Sequence, residues 1–530
     1  MSARVRWAGE RAFLVELGSL EEAMAFHARV TADPLGQREQ IAAARTVLLS
    51  FATAHGARRA ANRVAGVDLS PLPASERRTI EIDVVYDGDD LGVVTELTGL
   101  SREAVVAAHQ AREWTAAFGG FAPGFAYLVG GDPRLRVPRR ASPRTAVPAG
   151  SVALAAEFSA VYPRASPGGW RLIGHTDAAL WDLSREDPAL VVPGDGVRFR
   201  AVRASARAAV AAEPIRPRRV RDAAIEVAQP GLLSLIEDLG RHGQGDLGVT
   251  ASGAADTASA RAANRLVGNS RQAALIETLG GLVLRAATDV VAAVTGADAA
   301  ARIRRAPAAA DGPAPDERPA PLGAPFLLRA GDELALGYPE SGLRSYVAVR
   351  GGIAAPLVLG SRSRDVLGGV GPDPLRAGDA LALAGDVAGP VADPLPAPVP
   401  AAEPATLRIR FGPRDDAFDP GERAHLTRTT WIVGPETDRV GARLAPVPGT
   451  RPLRAAETEL ASEGVVTGAL QVPPSGEPVL FGADHPVTGG YPVIAVVVDA
   501  DLPRAAQLRP GERVRFLEID PESSNRLTVA

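Results

Sequence analysis

Val191-Val192-Pro193-Gly194-Asp195-Gly196-Val197-Arg198-Phe199 returns near the end of the chain as Leu508-Arg509-Pro510-Gly511-Glu512-Arg513-Val514-Arg515-Phe516. Looser copies occupy Leu328 to Leu336 and Leu375 to Leu383. Each is a glycine-acid turn followed by period-two alternation, the pattern of a strand with one buried face. A strand of this kind near the end of each half of the chain predicts barrel closure. Short Val/Leu/Ile runs punctuated by Gly and Pro lie between the copies, at Val290 to Val294, Ser345 to Val349, Leu407 to Phe411 and Val493 to Val498. That spacing favours barrels over a doubly wound sheet. The fold expected is mainly β with some α.

Helices are fewer. Ser101 is placed to cap the amphipathic run Arg102 to Trp114, with Glu103 in its first turn, and Gly99 to end the segment Leu91 to Thr98. Ser259 to Val267 reads as a helix stopped at Gly268-Asn269. Before about Arg78, the strand-like runs Phe13 to Leu17 and Thr46 to Phe51 flank a helix over Leu20 to Val30, giving a small α+β domain.

The 530 residues exceed what one core holds and imply about three or four domains of about 100 to 200 residues each. Ala204 to Asp222 is an Ala/Arg/Pro stretch and Gly389 to Thr406 is Pro/Ala-rich, so both read as linkers, while Pro307 to Pro321 reads as a surface loop. The resulting division is a domain over 1–78, a barrel over 79–203, a linker over 204–224, a barrel over 225–388, a linker over 389–406 and a barrel over 407–530.

A formal net charge of -4, with both signs interspersed, offers no stripe for nucleic acid. Neither a signal peptide nor a membrane span is legible, which points to the cytoplasm. Cysteine is absent, which excludes disulfides and thiolate chemistry, and the seven histidines show no metal-ligand spacing. Lysine is absent too, so all 58 basic residues are arginine. A preference for arginine codons accounts for this, and the consequence holds either way: there is no P-loop lysine, Schiff base or biotinyl-lysine on this chain. Phosphates would be held by arginine and backbone amides.

Phe118-Gly119-Gly120-Phe121-Ala122-Pro123-Gly124-Phe125-Ala126-Tyr127 interleaves glycine with aromatics, as does Ser166-Pro167-Gly168-Gly169-Trp170. Such loops can wall a pocket with rings and line it with amides, or they can be tight turns between strands. With Val147 to Ser151, Tyr162-Pro163 and Leu172-Ile173-Gly174-His175-Thr176, the stretch resembles the B subunit of prokaryotic ATP-dependent 5-oxoprolinase. That family is also described as allophanate hydrolase subunit 1, as a sporulation-kinase inhibitor and as part of the carboxyltransferase region of urea carboxylase. Ala228 to Leu233, Glu237 to Arg241, Ser252-Gly253-Ala254, Ala263 to Asn269, Thr295 to Asp298, Leu359 to Ser363, and Gly482 to His485 before Thr488-Gly489-Gly490-Tyr491-Pro492 resemble the C subunit. The two resemblances cover nearly the whole chain in order. They imply cyclophilin-like barrels, ATP and Mg²⁺ as cofactors, a small amide substrate, a separate A-type subunit as partner and no covalent biotin here. Homo-oligomerisation stays open.

Candidate site residues fall in three groups. For the nucleotide, Gly120, Gly124, Gly168 and Gly169 would offer backbone, and Arg139 and Arg140 would capture phosphate or carboxylate unless they are a solvated pair. For catalysis, Asp298 and Asp484 each follow an apolar strand and a Gly-Ala pair, where a carboxylate at a barrel rim serves as base, as Mg²⁺ ligand or as turn cap. Glu463 matches the C-subunit pattern, and His175 stands where the family resemblance leads one to expect arginine. For substrate, Arg362 suits an anion, and Thr488, Gly489, Gly490 and Tyr491 repeat the Gly-Gly-aromatic chemistry of Ser166 to Trp170, as though the two halves face each other. His109, on the helix before the glycine loop, reads as structural. Glu157-Phe158-Ser159-Ala160 and Ala442 depart from the family pattern.

The reading is a fusion of B and C subunits in which ATP activates 5-oxoproline for ring opening to glutamate with the A subunit. The alternatives are a biotin-dependent carboxyltransferase fed by a partner's carboxybiotin and a non-catalytic regulator of a histidine kinase.

Overall fold

The computed structural model describes residues 3–70, 78–203, 223–305, 317–396, 403–455 and 460–519. Two of its units are barrels with one strand order. In the first, the strands Thr79–Val84, Trp114–Gly119, Ala126–Val129, Ser151–Ala155, Phe158–Val161, Arg171–His175 and Gly196–Ala201 form a sheet. In the second, their counterparts are Ala405–Phe411, Trp431–Thr437, Gly441–Pro446, Ala469–Gln471, Val479–Phe481, Val493–Val497 and Arg513–Glu518. Going round either sheet, the order is first, seventh, second, third, fifth, fourth, sixth.

The repeated motif supplies the seventh strand in both. Val197 lies parallel to Ile80 and antiparallel to Trp114, while Val514 lies parallel to Ala405 and antiparallel to Trp431. The second barrel is closed. The first closes through Val85 and His175, whose backbone N–H groups each donate to the other's carbonyl at 2.9 Å. The two tryptophans are equivalent as well: each indole N–H donates at 3.0 Å to the carbonyl five residues earlier, His109 and Leu426, tying the preceding helix to the barrel.

The two looser copies of the motif carry the strands Glu333–Ala335 and Ala380–Leu381 in the middle unit. This unit is two facing sheets, of six and five strands. Ile225, Leu284 and Leu334 from one sheet meet Ile276, Ala292 and Val347 from the other in a shared core. Residues 204–222 of the first linker lie outside the described residues. The second linker is partly built into the middle unit: the Ala392 and Leu395 amides donate to Leu266 and Gly323, and the next strand already begins at Ala405.

Helices form at Leu20–Ala32, Leu91–Thr98, Arg102–Gln110 and Thr257–Leu266, close to the expected spans. Ser101 accepts the Ala104 N–H as its cap, and the helix stops at Gln110 because Trp114 already belongs to a strand.

The N-terminal domain explains how the halves meet. Its sheet, in the order Arg4–Trp7, Ala12–Glu16, Thr46–Ser50, Glu39–Ala42, is buried on both faces. Phe13, Val15, Val47 and Leu49 point to one face and pack with Phe26 and Val30 of the helix Leu20–Ala32 and with Ala57 and Ala60 of the helix Ala54–Val64. Leu14, Leu48 and Ile41 point to the other, where they pack on Val487 of the C-terminal barrel. Period two thus serves intradomain folding and interdomain docking in one strand.

Candidate functional site

Alternation, reset by a register shift between Ala116 and Phe118, also divides the first barrel. Trp114, Ala116, Leu128, Leu154, Ile173 and Phe199 fill its interior, while Phe118, Tyr127, Ala153, Ala155 and Tyr162 point outward. Phe118, Tyr127, Ala155 and Tyr162 wall a cavity of about 860 Å³ between three units. Ser19 and Arg45 come from the N-terminal domain, and Leu460-Ala461-Ser462 with Thr488-Gly489-Gly490-Tyr491 from the C-terminal barrel. The volume lies within the range of small-molecule sites.

The rings form an ordered box. Phe118 stacks on Tyr127 with centroids 4.3 Å apart, and Phe125 meets Tyr162 and Trp170 edge-on at 5.5 and 5.7 Å. The guanidinium of Arg139 sits 6.0 Å from the Trp170 ring centroid. Burial pushes the Tyr162 phenol up to about 12 and raises Tyr127 as well, so both stay protonated donors near neutrality. Ser462 of the opposite half lies close enough to the Tyr127 phenol to offset part of that rise. An aromatic slot with phenol and hydroxyl donors and the exposed guanidinium groups of Arg139 and Arg45 is suited to a flat, polar, anionic molecule.

Several of the residues expected from sequence converge here: Arg139, Gly168, Gly169, Thr488, Gly489, Gly490 and Tyr491 all line the cavity. The two Gly-Gly-aromatic loops do face each other. Gly168 is required because a Cβ there would overlap the Tyr162 hydroxyl.

The others lie elsewhere. The loop around Gly120 and Gly124 does not present its amides to an open space: Gly120 N–H donates to Phe125, Ala122 to Gly120 and Gly124 to Leu247, while Phe121 N–H donates to Thr488 Oγ1 at 3.3 Å. A Cβ on Gly120 would come within 2.9 Å of Thr488 Oγ1. The close approach that glycine permits is to the other half of the chain, not to a phosphate. Arg140 is committed to the buried carboxylate of Asp90 at 2.8 Å, alongside Arg144 at 2.7 Å.

The acidic candidates are engaged too. Asp484 is not at a rim but fully buried, held by Arg439 Nε at 2.8 Å, Ser252 Oγ at 2.6 Å and the Val366 amide at 2.9 Å. Asp298 is exposed and accepts the Ala300 N–H, which is turn capping. Glu463 is paired with Arg414, which also bonds Glu16 at 2.7 Å and so joins the N-terminal domain to the last barrel. His175 pairs with Asp87 at 2.8 Å beside the barrel seam. Arg362 donates to the Ala355 carbonyl within the middle unit, and none of these five side chains lines the aromatic cavity. His109 is buried between Tyr86 and Ser159, and burial lowers it to about 3, so it is a neutral structural histidine.

Sequence reading missed Ser19 and Arg45, which carry no motif, took Glu463 rather than Ser462 from the run Leu460 to Val465, and missed the buried cluster around Arg439. Arg439 bonds Asp484, Glu277 Oε1 at 2.5 Å and the Gly253 carbonyl at 2.7 Å, locking the last barrel onto the middle unit. Glu157 and Phe158, where the sequence departs from the family pattern, do line the aromatic cavity.

Two family models match: "Carboxyltransferase domain, subdomain C and D" over residues 3–191 and "Carboxyltransferase domain, subdomain A and B" over residues 247–518. The chain is 33% identical to the C subunit of 5-oxoprolinase from Escherichia coli K12 over 57% of this chain and 93% of that one. It is 51% identical to the B subunit of 5-oxoprolinase from Escherichia coli O157:H7 over 23% of this chain, a match spanning 58% of that relative's length. Urea amidolyase of Lachancea kluyveri is 32% identical over 57% of this chain and 17% of its own length. Among solved structures, TTHA0988 superposes with a TM-score of 0.82 and 35% identity, covering 96% of this chain and 99% of that one.

Proposed function

The chain belongs to the carboxyltransferase-domain family, with both its subdomain pairs fused in one polypeptide, and we propose that it is the B and C portion of an ATP-dependent 5-oxoprolinase. The observation carrying this reading is the cavity walled jointly by the two halves, which correspond to two separate subunits in the Escherichia coli relatives.

In this reading 5-oxoproline lies against the aromatic box with its carboxylate toward Arg139. Tyr162 and Tyr127, protonated because they are buried, donate to its lactam carbonyl oxygen. A five-membered lactam is a poor electrophile. Transfer of the γ-phosphoryl of ATP to the lactam oxygen, with ADP leaving, would make the lactam carbon electrophilic, with Mg²⁺ and arginine balancing the charge. With a separate A-type subunit, water would add to that carbon, the ring C–N bond would break as the nitrogen takes a proton, and hydrolysis of the resulting acyl phosphate by a second water would release phosphate and glutamate. In this reading the nucleotide approaches from the cavity's Arg139 side, because the Gly120–Gly124 amides are already engaged within the chain.

The test is reconstitution with an A-type subunit, ATP, Mg²⁺ and 5-oxoproline, with glutamate measured as each component is omitted. Loss of turnover on omitting any one supports the reading; turnover without ATP contradicts it. The urea amidolyase relative supports a second reading, carboxyl transfer from a partner's carboxybiotin to a urea-like amide. Product that appears only with a biotinylated carrier and bicarbonate would select it.

A further inference from the structure

A second cavity, of about 190 Å³, lies where the N-terminal sheet, the loop from His242 to Ala251 and the C-terminal barrel meet. Its floor is apolar, made by Ile41 and Leu48 of the sheet with Val487 and Val496 of the barrel. Its rim is charged: Glu10, Arg11, Arg38, Glu39, His242 and Asp499.

The rim carboxylates are already engaged. Asp499 pairs with Arg11 at 2.5 Å, and Glu10 accepts the Asp499 N–H at 3.2 Å. Glu39 takes the Gly243 and Gly245 amides, both at 2.8 Å, and its carboxyl is pushed up to about 7, chiefly by burial. Arg38 is left over. Among the described residues it has no ion-pair partner within 4 Å, and burial first, then Arg11 and Arg261, lower its affinity for the proton against the opposing effect of Glu39. His242 beside it is lowered to about 4 by burial and by Arg38, so near neutrality its imidazole is an uncharged hydrogen-bonding group.

We propose that this cavity binds a small aliphatic monocarboxylate, with its anionic end on Arg38 beside His242 and its short apolar body on Ile41, Leu48, Val487 and Val496. A planar guanidinium without a carboxylate partner pairs with such an anion in bidentate fashion, and the apolar floor takes a hydrocarbon body that water would otherwise surround. A phosphate ester would bring a second negative charge toward Glu10 and Asp499. An amine would meet Arg38 and Arg11. The ligand therefore bridges the N-terminal domain and the last barrel, apart from the aromatic cavity.

The proposal does not depend on the oxoprolinase reading, and its test uses neither ATP nor a partner. Isovalerate and its neutral analogue isovaleramide are titrated calorimetrically into the full chain. The acid should bind and the amide should not. Arg38→Ala, a change at an exposed side chain, should weaken the acid by about tenfold or more with an unaltered unliganded melting temperature, while Arg139→Ala in the other cavity should bind it as the wild type does. Equal binding of the amide, undiminished binding by Arg38→Ala, or no binding of the acid by the wild type each overturns the proposal.

Discussion

Thr488 of the last barrel accepts a hydrogen bond from the Phe121 amide of the first, 3.3 Å away, although 367 positions separate them in sequence. The glycine loop of one half is thereby closed by a side chain of the other, and the aromatic cavity lies beside that joint. Thr488→Val keeps the shape and removes the acceptor, leaving the Phe121 N–H without its partner. The expected cost is about 1–2 kcal/mol in a denaturation midpoint, together with reduced turnover in the reconstituted assay.

Separately expressed halves, residues 1–203 and 223–530, should co-purify. Their contact includes Glu16 with Arg414 at 2.7 Å, His27 with Asp246 at 2.7 Å and the apolar face of Leu14, Ile41 and Leu48 on Val487. A fusion raises the effective concentration of surfaces that are already complementary. Separation of the halves at micromolar concentration on size exclusion would contradict a shared site.

Arg139 and Arg140 should behave differently although they are adjacent. Arg140→Ala removes one of two guanidinium groups from the buried Asp90 and should cost about 1–3 kcal/mol. Arg139→Ala removes a group exposed at the cavity and should leave stability within about 0.5 kcal/mol, while raising KM for the substrate. Thermal denaturation and steady-state kinetics on the two variants separate these effects.

This pair shows what sequence could and could not supply. Alternation and a repeated turn are local properties, so the seventh strand of each barrel was legible at Val197 and Val514, and the facing loops at Gly169 and Gly490 were legible from their shared composition. Whether an arginine or aspartate is free depends on partners distant in the chain. Asp90 takes Arg140, Arg439 takes Asp484 and Arg414 takes Glu463, and none of these pairings leaves a periodic trace. Ser462 and Arg45 reach the cavity only because the N-terminal sheet docks on the last barrel.

Glu237 should make stability depend on pH. It is fully buried next to Arg439, and among the described residues neither carboxyl oxygen has a hydrogen-bond partner. Burial first, with Glu277 and Asp484 adding to it against the opposing effect of Arg439, raises its carboxyl well above the ordinary range. The folded protein therefore holds a proton that the unfolded chain releases near pH 4–5. Stability from this group is full below that pH and declines as pH rises toward the folded value. Asp365, raised to about 6, adds a decline of the same sign between about pH 4 and 6. Glu237→Gln should flatten the urea-midpoint profile above pH 5; an unchanged slope would count against a protonated Glu237.

Gly168→Ala in the reconstituted 5-oxoproline assay tests most directly the claim that the joint cavity is where the substrate reacts. The added methyl must displace the Tyr162 hydroxyl from the cavity wall. The account predicts at least about a tenfold fall in kcat/KM, equivalent to about 1.4 kcal/mol of transition-state stabilisation, with both halves still associated. Wild-type kcat/KM in a variant whose Tyr162 has been displaced would place the reaction elsewhere on the molecule.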